Sequence, residues 1–291
     1  MEHIAVVAHS GKSLGGGLAE LRSRLADAGV DDPLWFEVPK SKKARKVVHD
    51  ALQRGADLVL VWGGDGMVQR CIDALRGSEA TLAIIPAGTA NLLASNLGIP
   101  HDLGDALDVA LGGQDRRIDV GTVNGERFAV MSGVGFDARM IDGAPKSAKA
   151  KLGRFAYVAG GVSAMRAPSD HVTVSVDGTP WYAGPATCVL VGNVGTTTGG
   201  LVVFNDARLD DGVLDLGVVT ADGWVRWLRV LARAASHRAE RSPFVQMTRA
   251  REIEVRLDRK SLYELDGGSR TKVRRLRYGI EPGALVVRVP R

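Results

Sequence analysis

The stretch VLVWGGDGMVQRCIDAL (Val59 to Leu75) sets a carboxylate, Asp65, among Gly63, Gly64 and Gly66 where an apolar run ends. In an open α/β sheet, ligands collect beyond the carboxyl ends of strands. Glycines at such a point let the backbone approach a phosphate and aim its N–H groups at it. An aspartate in the same loop repels phosphate unless it holds a magnesium ion or takes a proton from an attacking hydroxyl. The combination points to phosphoryl transfer, where positioning and charge neutralisation do most of the work. A plainer reading stands beside it: a strand-to-helix turn with Asp65 as helix N-cap.

A second stretch, IIPAGTAN (Ile84 to Asn91), repeats the design with an apolar run, then Gly88 and a hydroxyl, Thr89, before a helix-like segment. Thr89 suits a helix cap as well as a ligand contact. Two polar glycine turns at the ends of consecutive strands are expected to border one cleft. His9, at the end of the first apolar run, suits either a phosphate contact or plain solvation.

The elements that must position these turns alternate in period over the first 120 residues or so. Ile4 to Ala8 reads as a strand; Leu18, Leu21, Leu25 and Ala28 recur at helical spacing and stop at Gly29. A second helix is expected after Ser41 as N-cap, with Ala44, Val47, Val48, Ala51 and Leu52 on one face and Gly55 as its stop. Strand Leu58 to Trp62, helix Gly66 to Arg76, strand Thr81 to Ile85, helices near Ala90 to Leu97 and Leu103 to Leu111, and a strand reaching Val120 follow. Such alternation argues for helices on a mostly parallel sheet. Near Asp119 the texture changes to short alternating runs with turn signals: Arg127 to Ser132, His171 to Val176 before Asp177-Gly178, Thr187 to Gly192, Val213 to Val219, Glu252 to Leu257, and Ser261 to Leu265 before Asp266-Gly267. These suit an antiparallel sandwich or barrel. Two amphipathic segments, Lys151 to Met165 and Asp222 to Arg238, interrupt them.

At 291 residues, two cores are the default. Cys71 and Cys188 are far apart with no partner at ligand spacing, so a zinc site or redox pair is disfavoured and a reduced, cytoplasmic setting expected. Both read as small core residues. No run approaches the ~18 apolar residues of a membrane span, and the start lacks an export signal. The formal charge of +5 points to anionic partners, but aromatic content of 5% without a basic, aromatic-interleaved strand disfavours nucleic acid.

Gly63 to Gly66 (GGDG) followed by Pro86 to Ala94 (PAGTANLLA) resembles the diacylglycerol kinase catalytic family, which includes bacterial soluble lipid kinases and, more distantly, sphingosine and ceramide kinases. The similarity continues through IDVGTVNGERF (Ile118 to Phe128), GVGFDA (Gly133 to Ala138), RLDDGVLDL (Arg208 to Leu216) and YELDGG (Tyr263 to Gly268). The resemblance implies a Rossmann-like α/β nucleotide domain with a mostly parallel sheet over residues 1–119, rejoined by the chain at about 277–291, and a C-terminal antiparallel β-sandwich for the lipid acceptor over 120–276. It implies ATP and Mg2+ as cofactors and transfer of the γ-phosphoryl to a lipid hydroxyl, diacylglycerol to phosphatidate first among the acceptors. Gly63, Gly64, Asp65 and Gly66 would then form the main phosphate and magnesium loop, and Gly88, Thr89 and Asn91 the second. Asp119 would join the acidic network near the magnesium, and Asp266 would stand near the acceptor hydroxyl. RLDDG resembles a structural magnesium site, with the Asp211 carboxylate and the carbonyls of Arg208 and Val213; a plain Asp-Gly turn explains it equally.

The chain departs from the family's pattern at Ala8-His9, Met67, Arg70 and Leu92, and above all at Gly268, where the bacterial members carry a Glu assigned as general base. Asp65 or Asp266 would then accept the proton. The alternatives are a nucleotide or lipid sensor of weak or no activity, or a kinase of a sphingoid, ceramide or soluble polyol acceptor. NAD kinases share GGDG but pair it with Asn-Glu, which this sequence lacks. A lipid substrate would be met at the membrane surface, on the inner face. Trp224, Trp227, Leu228 and Leu231, with Arg226, Arg229 and Arg233 displaced from their line, suit an interfacial helix or one packed on the β domain. Leu152 to Met165 suits an acyl-pocket wall or sandwich closure. Lys40, Lys42, Lys43, Arg45 and Lys46 read as a solvated face. Oligomeric state, a homodimer included, is left open.

Overall fold

The computed structural model describes residues 3–135, 169–197 and 201–291; the Lys151 to Met165 segment and the end of the GVGFDA motif lie outside them. The chain divides into two compact units, Met1–Asp119 with Pro282–Arg291, and Val120–Glu281.

The first unit is built on parallel strands β1 (Ile4–His9), β2 (Leu34–Val38), β3 (Leu58–Gly63) and β4 (Thr81–Pro86), in the order β2-β1-β3-β4. The last part of β16 (Val273–Val289) adds a parallel neighbour to β4, with Val287 opposite Leu82. Every residue of β3 and β4 is buried, as expected of parallel strands covered on both faces. Helices α1 (Gly17–Asp27), α2 (Ala44–Gln53), α3 (Asp65–Ala74), α4 (Leu92–Asn96) and α5 (Leu103–Gly112) connect the strands. α1 and α2 stop at Gly29 and Gly55, whose positive φ of +79° and +85° is the left-handed conformation that ends a helix. Ser41 is not an N-cap: it opens a short 3-10 turn, Ser41–Lys43, and α2 begins only at Ala44. The lysine-rich face there is exposed.

The chain leaves β1 toward β2 on one side and then crosses to β3 on the other, so the sheet reverses direction between β1 and β3. Their carboxyl ends, at His9 and Gly63, flank the crevice where such sheets bind ligands.

The second unit is an antiparallel β-sandwich. One sheet runs in the order β12 (Val245–Ala250), β11 (Leu214–Val219), β10 (Cys188–Gly192), β7 (Met131–Gly135), β14 (Tyr263–Leu265), β15 (Gly268–Ser269). The other joins β9 (Thr179–Ala186), β8 (Asp170–Val176), β13 (Glu252–Ser261) and the first part of β16. β5 (Gln114–Val123) pairs with β16 and with β6 (Glu126–Phe128). The core is aliphatic with few rings: Phe128 meets Tyr278 edge-on at 6.3 Å, and Val134, Val174, Leu216 and Val255 surround them in one cluster.

Arg127 to Ser132 is two strands, not one, because Ala129 and Val130 leave the ladder to bond a side chain described below. β9 was not expected from the sequence; two adjacent rings, Trp181 and Tyr182, and five small or proline positions blur its alternation. Helix α6 (Gly223–Ala235) packs on the sandwich through Trp227 and Val230. Cys71 and Cys188 are buried, as core residues.

Candidate functional site

The two glycine turns of the first unit are laced together. Gly64, in extended conformation, is the N-cap of α3, so Asp65 is the first residue inside that helix and not its cap. Its carboxylate reaches across to the other turn and accepts the backbone N–H of Asn91, at 2.9 Å, and of Leu92. Asp65 therefore caps α4, a helix that begins 27 residues later, and Thr89, exposed at the tip of the second turn, does not. Burial pushes the Asp65 carboxyl above the ordinary aspartate value of 3.8, while the amides of Leu92, Asp65 itself, Asn91 and Leu93 pull it back.

Asn91 holds the second turn in shape. It sits at φ +50°, ψ +50°, a left-handed conformation that asparagine tolerates better than most residues. Its side-chain oxygen accepts from Gly88 N at 2.9 Å, and its NH2 donates to the carbonyls of Pro86 at 3.0 Å and Gly88 at 3.1 Å. The buried amide is thus consumed inside the loop.

The glycines are required by distance. A Cβ on Gly88 would stand 2.4 Å from Gly64 Cα and 2.5 Å from Asn91 Oδ1, and one on Gly63 would stand 2.6 Å from Met67 Cβ. Met67, where the family often has Thr, is buried over Gly63. Gly66 differs: it is exposed, and a Cβ there would meet nothing within 4 Å. Glycine at 66 leaves open space at the start of α3, where backbone N–H groups and the helix dipole favour an anion.

His9 stands beside this turn, its Cβ 3.9 Å from a Cβ built on Gly63. Its Nδ1 accepts from Gly11 N at 3.1 Å. Burial, then the charge of Lys12, lowers its pKa below 6.5, so the ring is neutral at pH 7 with Nε2 as its donor. In the loop after β1, SGKSLGGG (Ser10 to Gly17), Lys12 O accepts from Trp62 Nε1 at 3.2 Å, which fastens that loop to β3. Asp119, also in the first unit, is buried and accepts from Gly283 N at 2.7 Å, which ties β5 to the returning strand.

In the second unit Asp266 is almost fully buried, at 4% exposure, with φ +44°. Its carboxylate accepts from Ala129 N (2.9 Å), Val130 N (3.0 Å) and Met131 N (3.0 Å). Two positions on, Gly268 lies under the Arg270 guanidinium: Arg270 Nη1 donates to Gly268 O at 3.0 Å, and Nε donates to Glu126 at 3.0 Å and 3.2 Å. In RLDDG, Gly212 has φ +72° and Asp211 Oδ1 accepts from Val213 N at 3.3 Å, the geometry of an Asp-Gly turn. Arg208 pairs with Asp210 at 3.6 Å. Among the described residues no three His, Cys, Asp or Glu side chains converge as a ready-made metal site. The site residues thus fall into two sets: Gly63, Gly64, Asp65, Gly88 and Asn91 meet in the first unit, while Asp266 and Asp211 belong to separate turns of the second.

The diacylglycerol kinase catalytic domain matches residues 3–123, and the YegS C-terminal NAD kinase beta sandwich-like domain matches residues 129–289. The "Probable lipid kinase YegS-like" protein of Klebsiella pneumoniae (strain 342) is 34% identical over 209 residues, 70% of each chain. The diacylglycerol kinase of Bacillus subtilis (strain 168) is 30% identical over 230 residues, covering 77% of this chain and 75% of its own. A crystal structure of a diacylglycerol kinase from Bacillus anthracis str. Sterne shares the fold, with a TM-score of 0.81 at 24% identity over 99% of this chain and 97% of its own. With both halves matched and a relative 34% identical over 70% of the chain, the chain belongs to the diacylglycerol kinase catalytic domain family of lipid kinases.

Proposed function

We propose that the protein is an ATP- and Mg2+-dependent lipid kinase that converts diacylglycerol to phosphatidate. The carrying observation is the carboxylate of Asp65, raised in pKa and joining two glycine turns beyond the ends of β3 and β4, with open space at Gly66 beside it.

Residues 1–119 with the C-terminal return take the nucleotide, and the sandwich takes the lipid. The ATP phosphates lie along Gly64, Gly66 and Gly88, with the Gly66 N–H, Thr89 and the Nε2–H of His9 as donors and the Gly88 N–H kept by Asn91. The donor set fits magnesium, a hard cation that commonly takes one carboxylate together with substrate phosphates and water. Each Asp65 oxygen keeps a lone pair after its amide bond, and magnesium held there would neutralise charge developing on the phosphates. Asp211 with the carbonyls of Arg208 and Val213 offers an all-oxygen set for a second, structural ion.

In the transfer step the lipid hydroxyl oxygen bonds to the γ-phosphorus, the bond from that phosphorus to the β–γ bridging oxygen breaks, and ADP leaves. The hydroxyl proton passes to Asp65; little base assistance is needed in a loose transition state. Asp266, filled by three amides, shapes the start of β7 where the acceptor binds.

The test is transfer of radiolabelled γ-phosphate from ATP with magnesium to mixed micelles of diacylglycerol, a ceramide, a sphingoid base and a monoacylglycerol in parallel. Label is expected in phosphatidate. Label in another lipid would change the acceptor and keep the chemistry. ATP binding without label would favour a sensor, the reading prompted by glycine at position 268 where the family carries a Glu.

A further inference from the structure

Among the described residues the exposed large apolar side chains are Trp224 (64%), Val225 (45%) and Leu228 (50%), and all three lie in the first turns of α6. The same helix already has a core contact. Trp227, Val230 and Ala234 are buried, Trp227 and Val230 in a cluster with Cys188, Val219, Ala221 and Val245. The sequence-level stripe Trp224, Trp227, Leu228, Leu231 is therefore divided between two faces, and the exposed apolar residues do no packing in the sandwich. An ordinary surface helix carries polar residues on that side.

A third sector is cationic. Arg226, Arg229 and Arg233 are exposed at i, i+3 and i+7, beside the apolar one. From Asp222 to Ser242 five arginines (226, 229, 233, 238 and 241) face two acids, Asp222 and Glu240. Asp222 is paired with Arg226, whose guanidinium also lies 5.5 Å over the Phe244 ring. Arg229 and Arg233 lie to one side of the exposed tryptophan and leucine, and the helix carries no acid of its own beyond its N-cap, Asp222. A helix with a Trp-Leu wedge next to an arginine row has the chemistry of the boundary between acidic head groups and acyl chains. A second copy of the chain fits badly, since a two-fold contact would bring the same arginine rows together.

We propose that α6 is a docking helix, which lays Trp224, Val225 and Leu228 into an anionic lipid bilayer while Arg229 and Arg233 contact its head groups. The proposal rests on the lipid-kinase reading for its choice of a bilayer over an acidic protein.

The test is sedimentation of the full chain with sucrose-loaded vesicles of phosphatidylcholine, with and without phosphatidylglycerol. Wild type is expected to bind the anionic vesicles and to release from them as salt is raised. Trp224→Ala/Leu228→Ala should lower partitioning at least ~10-fold, and Arg229→Ala/Arg233→Ala should remove the preference for phosphatidylglycerol. Both should melt like wild type, because neither touches the buried face. Phosphoryl transfer to a short-chain diacylglycerol dissolved in buffer should be unchanged in both. No wild-type binding to anionic vesicles, or a Trp-Leu variant that binds like wild type, overturns the docking proposal whatever the turnover. A dimer that the Trp-Leu variant dissolves in sedimentation velocity also overturns it, giving the face to a second copy. Vesicle binding that depends on α6 in a preparation with no lipid turnover supports docking and instead refutes the kinase reading.

Discussion

Asp65 and Asp266 occupy similar sequence settings, GGDG and LDGG, and both carboxylates accept backbone N–H groups from another stretch of chain. Their surroundings separate them. Asp65 bonds two amides of the facing loop, is half-buried, has its pKa raised by burial, and adjoins an exposed glycine with room beside it. Asp266 bonds three amides and is sealed in the sandwich. The same hydrogen-bonding habit thus yields a carboxylate open to chemistry in one unit and a folding clamp in the other, and exposure decides which.

The sharpest way to break that contrast is Asp266→Ala. It would orphan three buried amides, each costing about 1 kcal/mol or more, and put alanine at a left-handed φ, so a stability loss of about 3 kcal/mol or more is expected. Differential scanning calorimetry should show the drop; a melting temperature within a degree or so of wild type would mean that the clamp does nothing. Asp65→Asn should instead act on turnover, lowering kcat at least ~100-fold, about 2.7 kcal/mol, with a wild-type circular dichroism spectrum. Full activity in that variant would remove Asp65 from the chemistry.

The raised pKa of Asp65 gives the contrast a pH signature. The folded carboxyl keeps its proton to higher pH than the unfolded one, so its contribution makes the protein less stable as pH rises from about 3.8 through the folded value. Asp65→Asn should flatten the stability slope, measured by urea titration at several pH values; an unchanged slope would place the raised group elsewhere.

Two smaller changes sharpen the comparison. Gly268→Glu would set a carboxylate against the flexible end of Arg270, whose Nη1 stands 2.8 Å from the built Cβ, so the fold should accept it. A few-fold gain in turnover is expected, below the ~100-fold of a full general base, because loose phosphoryl transfer needs little base. No gain would assign proton removal wholly to other groups. Gly66→Ala has no clash and should raise stability by about 0.5 kcal/mol through the unfolded chain, while raising KM for ATP. An unchanged KM would mean that the space at Gly66 is not used by nucleotide.

What was legible in the sequence depended on how local its cause is. Gly29 and Gly55 end their helices and Asp177-Gly178 closes its hairpin because a backbone conformation a few residues long requires them. The parallel sheet followed from period, which left sandwich or barrel open for the second unit until the family resemblance chose the sandwich. By contrast, Asp65 caps α4 from 26 and 27 residues away, Asn91 closes its loop from a left-handed conformation, and the Arg127 to Ser132 run is split by a carboxylate more than 130 residues downstream. Ser41 looked like a cap because its type suits one, yet a 3-10 turn intervened. In α6 the periodicity located the helix, but which tryptophan turns inward depends on the sheet beneath it.

Strand β16 contributes residues to both units, and its end, from Pro282 to Val289, completes the first of them. During synthesis the α/β unit must therefore wait until the whole sandwich has been translated before β4 gains its final neighbour. Until then β4, apolar in every residue but Thr81, presents an unpaired edge of the kind that recruits foreign strands. Arg288, which bonds Asp115 at 2.7 Å, is made only after every sandwich strand that precedes it, so the nascent chain carries a vulnerable half-finished sheet until the end of β16 emerges.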